Sequence, residues 1–263
     1  MPVKKLFILA IITVFSTINP CHAGRVLQIA TLNYPPYQYV ENGQIKGFTA
    51  DIVREIFKRM DQPIQIKRYP FQRAIHNIKN GKADIIFTFY YKKEREAFAD
   101  YSKETLVDQT IALFVRNDSS IEFDGNLSKL NQYRFGLVRF SYGKIFDSAV
   151  KNNVITKLDY VSEMDLNMKK FLAKRFEILP SDRWVAHYYY TKVIANSRGV
   201  KIKELKPPVD TFPAFIGFSK VNNLDAIRKK VDDTLKKMKS DGTYQEIIDA
   251  HAQTWGISLH ADQ

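Results

Sequence analysis

The sequence predicts an α/β fold in two lobes, each a mainly parallel sheet flanked by helices. Short apolar strands alternate with amphipathic helices from residue 24 onward. The alternation pauses in a polar stretch at 116–120 and then restarts, so two βα series succeed one another. Strand–helix–strand units of this length imply parallel pairing, because the connecting helix must carry the chain back to the same end of the sheet.

The first strand is the apolar run 26–32, which leaves through Tyr34-Pro35-Pro36. A hairpin-like loop comes next around Asn42-Gly43. Ile52, Val53, Ile56, Phe57 and Met60 recur at helical spacing, with Thr49 and Asp51 as capping candidates. Residues 64–66 form a second strand. Pro70 opens a helix that places Phe71, Ala74, Ile75 and Ile78 on one face, and Asn80-Gly81 ends it. Residues 83–89 make a third strand and 110–115 a fourth.

The second series reads as strand 135–138, helix 142–150, strand 156–160, helix 165–171 and strand 176–179, with Ser181 capping a helix through Tyr190. Lys206-Pro207-Pro208 breaks it, and strand character resumes at 212–218. Leu224, Ile227, Val231, Leu235 and Met238 make a long amphipathic helix stopped by Gly242, and a final helix holds Tyr244, Ile247 and Ile248. Ligands of such sheets bind beyond the carboxyl ends of the strands. That rule singles out the loop after Leu32, the helix start at Pro70 and the segment after Phe87.

Composition narrows the class. The chain has 263 residues, 45% hydrophobic and 26% charged, with no low-complexity tract, which is a globular balance. Lys4 and Lys5 precede an apolar run at 6–15, and small and polar residues lead to Ala23. This pattern describes a secretory signal peptide over residues 1–23, too short in its apolar part for a bilayer span of ~20 residues. The one cysteine, Cys21, falls inside that segment, so the mature chain has no thiol chemistry and no disulfide. The net charge of +12 favours anionic partners, but the lysines are dispersed and lack interleaved aromatics, so no nucleic-acid partner is expected. His76, His187, His251 and His260 are scattered without metal-ligand spacing, and neither a metal nor a cofactor is implied.

Tyr34-Pro35-Pro36-Tyr37, the run 47–52 (Gly-Phe-Thr-Ala-Asp-Ile), the run 81–86 (Gly-Lys-Ala-Asp-Ile-Ile), Lys93-Glu94-Arg95, Tyr101-Ser102 and Asp241-Gly242-Thr243-Tyr244 occur in one order along nearly the whole chain. This series resembles the bacterial extracellular solute-binding proteins of family 3, receptors for polar amino acids. The resemblance implies the type II periplasmic binding protein fold, with two lobes joined by two crossing strands that act as a hinge. Lobe 1 would comprise residues 24–116 and 212–263, and lobe 2 residues 117–211. It implies a monomeric periplasmic protein that captures a small polar solute, an amino acid or an organic acid, for membrane transporter subunits.

A free amino acid must find a partner for each of its charges when buried. The resemblance puts Arg95 at the carboxylate-binding position, where a planar guanidinium grips two oxygens; otherwise Arg95 is one more surface cation in its basic run. It puts Asp182 at the ammonium-binding position, though an acid there also suits a helix N-terminus. Phe71 and Tyr34 either pack on the ligand or belong to the core. Thr88 and Ser141 would offer hydroxyls to carboxylate oxygens. Tyr90 replaces a small hydroxyl residue of the family, and Phe140 replaces a frequent glycine. Arg73 and Arg139 are extra cations near the site; either they face a second acidic group of the ligand or they point to solvent. Two alternatives to transport stay open: an enzyme on the same fold, such as a dehydratase of cyclic acids, and a sensory receptor that signals without transport.

Overall fold

The computed structural model describes residues 25–193 and 199–257; the predicted leader lies outside them. In chain order the elements are β1 (Leu27–Thr31), the hairpin β2 (Tyr39–Glu41) and β3 (Gln44–Lys46), α1 (Phe48–Arg59), β4 (Ile64–Arg68), α2 (Phe71–Lys79), β5 (Ile85–Tyr90), β6 (Ala99–Tyr101) and β7 (Val107–Arg116). Next come β8 (Phe135–Val138), α3 (Gly143–Lys151), β9 (Leu158–Val161), α4 (Met164–Leu172), β10 (Leu179–Asp182), α5 (Arg183–Val193), β11 (Ile202–Ser219), α6 (Asp225–Ser240) and α7 (Thr243–Trp255).

The architecture is two-lobed α/β. In the first lobe β1 runs parallel to β4 and β5. In the second, β8 runs parallel to β9, and an isolated parallel bridge joins Phe135 to Ile178. Two long strands link them: β11 pairs antiparallel with β5 and β6 through its last residues and with β7 along most of its length. β10 completes the far edge against β7.

Strand alternation places the core on both faces. On β7, Ile111, Leu113 and Val115 pack with Phe135, Leu137 and Phe146, whereas Ala112 and Phe114 pack with Met168, Phe171 and Phe176. On β1, Leu27 and Ile29 join Phe48, Ile52, Ile56, Leu235 and Met238, and Ala30 faces Ala74 and Ile78 of α2.

Three local features differ from expectation. β11 does not break at Lys206-Pro207-Pro208; it runs through, with a register shift between Leu205 and Asp210. The shift leaves the prolines outside the ladder, where their missing N–H groups are not needed. Phe176 stands before the strand, buried against Phe171, and β10 starts at Leu179. Thr49 does not cap α1: its hydroxyl lies 2.7 Å from the Tyr37 carbonyl, tying the helix to the preceding loop. The Asn42-Gly43 turn matches expectation, with positive φ at both residues, as a two-residue hairpin loop requires.

An irregularity in β5 sets the direction of its last side chains. Between Ile86 and Phe89, β5 spends one more residue than β11 does between Gly217 and Phe215. The extra residue is a β-bulge, and Thr88 within it has φ +54°, a costly value for a β-branched side chain. The bulge restarts the alternation, sending Phe89 into the α2 face beside Ile86.

Candidate functional site

The loop after β1 closes on itself: Tyr34 N–H donates to the Gln38 carbonyl at 2.7 Å, and Gln38 N–H donates back at 3.1 Å. That closure stacks the Tyr34 and Tyr37 rings at 5.1 Å. Tyr37, fully buried, sends its hydroxyl across to the second lobe, where it donates to Asp182 Oδ2 at 2.8 Å. Asp182 is 2% exposed, and its other oxygen accepts the Val185 N–H at 3.1 Å. Asp182 is therefore the N-cap of α5. The expected cap, Ser181, is buried with its hydroxyl unpartnered among the described residues.

The lobes meet around this bond through aromatic rings. Phe48 stacks on Trp184 at 4.4 Å, and Tyr39 meets Tyr188 edge-on at 5.6 Å. Trp255 of α7 meets the same Tyr188 at 4.6 Å. Tyr34 and Tyr90 lie close enough to Asp182 to feel its charge, and Tyr142 and Tyr189 lie close enough to Tyr34 to influence it. Burial pushes the phenols of Tyr34, Tyr37, Tyr90 and Tyr142 well up, so all remain hydroxyl donors. Burial also pushes Asp182 up to about 7, against the opposing pull of hydrogen bonds from Tyr37, Val185 and Trp184 and of the Arg183 charge.

Arg95 also lies beside Tyr90, whose phenol feels both Arg95 and Asp182. Its guanidinium donates to the Tyr90 carbonyl at 2.8 Å and lies over Phe89 at 4.5 Å and Phe71 at 5.5 Å. No acid among the described residues forms an ion pair with it; Asp182 accepts hydrogen bonds from Tyr37 and Val185 and feels the Arg183 charge. Phe71, the first residue of α2, is 42% exposed and is not core.

Thr88 is buried and donates to Gln38 Oε1 at 2.8 Å, with the Thr49 hydroxyl 2.8 Å from the same oxygen. Gln38 is fully buried and its Nε2 has no partner among the described residues. Ser141 donates to Asp147 Oδ2 at 2.5 Å, and Tyr142 N–H donates to Asp147 Oδ1 at 2.9 Å, so Asp147 holds the donors at the start of α3. Phe140 is exposed and stacks on Tyr142 at 4.6 Å. Arg139 is exposed over the Tyr160 ring at 4.9 Å, and Arg73 is exposed on the first turn of α2.

Of the predicted site residues, the structure thus gathers Tyr34, Tyr90, Arg95 and Asp182 into one neighbourhood, with Phe71 at the edge of Arg95. Thr88 joins a buried network beside them. Ser141, Phe140 and Arg139 engage groups of their own lobe. Sequence reasoning missed Tyr37, Gln38, Trp184 and Tyr142. Only Tyr37 left a signal, as the last residue of Tyr34-Pro35-Pro36-Tyr37. A surface hollow of about 720 Å³ between the β2–β3 hairpin and α1, lined by Lys46, Asp51 and Arg54 among others, contains none of the predicted residues.

Comparison with known proteins agrees with this architecture. The chain is 22% identical over 271 residues to the probable amino-acid-binding protein YxeM of Bacillus subtilis, covering 95% of this chain and 96% of that one. It is 22% identical over 227 residues to a probable histidine-binding protein of Neisseria gonorrhoeae, covering 85% and 82%. Among solved structures, the probable amino-acid ABC transporter extracellular-binding protein ytmK of Bacillus subtilis superposes with a TM-score of 0.73 at 16% identity, over 91% of this chain and 99% of that one. A family model matches residues 27–254, and the chain belongs to the bacterial extracellular solute-binding proteins, family 3.

Proposed function

We propose that this protein captures an amino acid between its lobes and presents it to a membrane transporter of the ABC type, without chemical conversion. One observation carries the reading: a guanidinium from the first lobe and a buried carboxyl group from the second both act on the Tyr90 phenol, and the guanidinium is held by a carbonyl and two rings rather than by an acid. A zwitterion placed between them satisfies both charges at once, which a buried ligand requires. The names of the relatives support the amino-acid class. In this reading the lobes are residues 24–116 with 212–263, and 117–211, and β7 and β11 are the hinge. Export by the leader, cleavage near Ala23 and a monomeric state in the periplasm complete the proposal. Among the described residues no helix is long and apolar enough to cross a membrane.

The test is thermal unfolding of the chain from Gly24 onward against a panel of amino acids, organic acids and cyclic dehydratase substrates. A ligand of the folded state adds about 2.7 kcal/mol at a hundredfold excess over its dissociation constant. An upward shift with an amino acid recovered unchanged is the expected result. A shift or turnover with a cyclic acid alone would replace this reading with the enzyme.

A further inference from the structure

We infer that Tyr37 is a specificity-determining residue of the cleft: its hydroxyl holds, from the opposite lobe, the Asp182 oxygen that a ligand's ammonium would take. The inference rests on the proposal that the ligand is an amino acid. Of the two carboxylate oxygens, Oδ1 is committed to the Val185 N–H and so to the start of α5, which leaves Oδ2 to groups from the cleft. The Tyr37 hydroxyl sits on that oxygen at 2.8 Å, and both residues are buried.

The phenol is held in place from three directions. Tyr34 stacks on it at 5.1 Å, Phe48 packs against it at 4.7 Å, and its own carbonyl accepts the Thr49 N–H at 3.1 Å. Phe48 in turn stacks on Trp184, two residues beyond Asp182. The hydroxyl is thus aimed by packing that a phenylalanine would share, and only the O–H–carboxylate bond distinguishes the two side chains.

The consequence is a competition. An amino acid brings an ammonium that must share or displace the phenol. The same molecule without its amino group leaves the Tyr37–Asp182 bond intact, so the carboxylate is not stranded. Tyr37 therefore lowers the preference for amine-bearing ligands and admits deaminated carboxylates that a phenylalanine would reject.

The experiment is a cycle between the Tyr37 hydroxyl and the ligand's amino group, read by calorimetric titration. The probes are L-arginine with 5-guanidinopentanoate, L-histidine with 3-(imidazol-4-yl)propionate, and L-glutamine with 4-carbamoylbutyrate, each pair differing only in the amino group. In Tyr37→Phe the ratio of the two dissociation constants shifts toward the amino acid by roughly tenfold or more, the scale of a hydrogen bond to a charged group. An unchanged ratio overturns the role of Tyr37 and leaves the amino-acid reading standing. The wild type alone gives a second check: binding of an amino acid with outright rejection of its deaminated partner also overturns it. Binding of neither member of any pair overturns the amino-acid reading and this inference together.

Discussion

The ring of Phe89 covers Gly217 so closely that a β-carbon on the glycine would stand 2.6 Å from Phe89 Cδ1 and 3.0 Å from Ile86 Cγ2. This contact arises from the bulge at Thr88, which turns Phe89 onto the face it shares with Ile86. Gly217→Ala forces the ring or the strand to move, and overpacking of this kind costs about 1–3 kcal/mol. Because Phe89 also carries the Arg95 guanidinium, the substitution is expected to weaken ligand binding as well as lower the unfolding midpoint. Urea unfolding with a ligand titration on the same variant checks both effects.

The last helix is tied to the first by His251 Nε2, which lies 2.9 Å from Asp51 Oδ2, while Arg54 holds the other oxygen at 2.7 Å. Burial alone would raise the Asp51 carboxyl, but the hydrogen bonds and charges of His251 and Arg54 hold it below the usual range. A depressed folded value adds stability above the unfolded pKa, near 4, and loses it as the pH falls through the folded value. The side chain is 43% exposed, so solvent screening limits the gain to about 0.5 kcal/mol. Asp51→Asn should therefore lie below the wild type in urea unfolding at pH 6, and the gap should close below pH 4.

The order of strands and helices was legible because apolar periodicity and turn residues are local signals. They located β1, α1, α2, β5 and α6 within a few residues. The path of β11 through Pro207-Pro208 was not legible, since a bulge that sets two prolines outside the ladder depends on the partner strand. The same holds at the site. Arg95 and Asp182 were singled out in sequence only through the family resemblance. The bond from Tyr37 to Asp182 joins residues 145 positions apart and exists only where the lobes meet. Capping by Asp182 rather than Ser181 turns on which side chain faces the Val185 N–H, a choice that adjacent polar residues do not declare in sequence.

Arg95 is held by a backbone carbonyl and two rings rather than by an acid among the described residues, so removing its charge leaves no counter-charge unpaired. Arg95→Ala should leave the unliganded unfolding midpoint within a few degrees of the wild type and weaken carboxylate binding by roughly a hundredfold, the upper scale of a charge-assisted pair. Arg95→Lys should restore only part of the affinity, because an ammonium lacks the planar fork. Calorimetric titration of the three proteins decides it; unchanged affinity in Arg95→Ala would remove Arg95 from the site.

Asp182 carries the opposite pH dependence to Asp51. Burial raises it to about 7, with Tyr34, Tyr37 and Tyr90 facing it from the first lobe and Arg183 beside it on α5. An unfolded aspartate ionises near pH 4, so between about pH 4 and 7 the unfolded chain has lost a proton that the folded chain still holds. Stability therefore falls as the pH rises through that window, by on the order of 3–4 kcal/mol in all. Asparagine stays neutral and can still cap α5, so Asp182→Asn should unfold at a higher temperature than the wild type at pH 8, with the margin shrinking toward pH 5. The same variant should lose affinity for any amine-bearing ligand, the usual exchange of stability for function at a binding site. An ammonium beside Asp182 favours its ionised form, so capture of an amino acid at pH 6 should release a proton. Titration in two buffers of different ionisation enthalpy measures that release directly; equal apparent enthalpies in both buffers would mean that the ammonium does not reach Asp182.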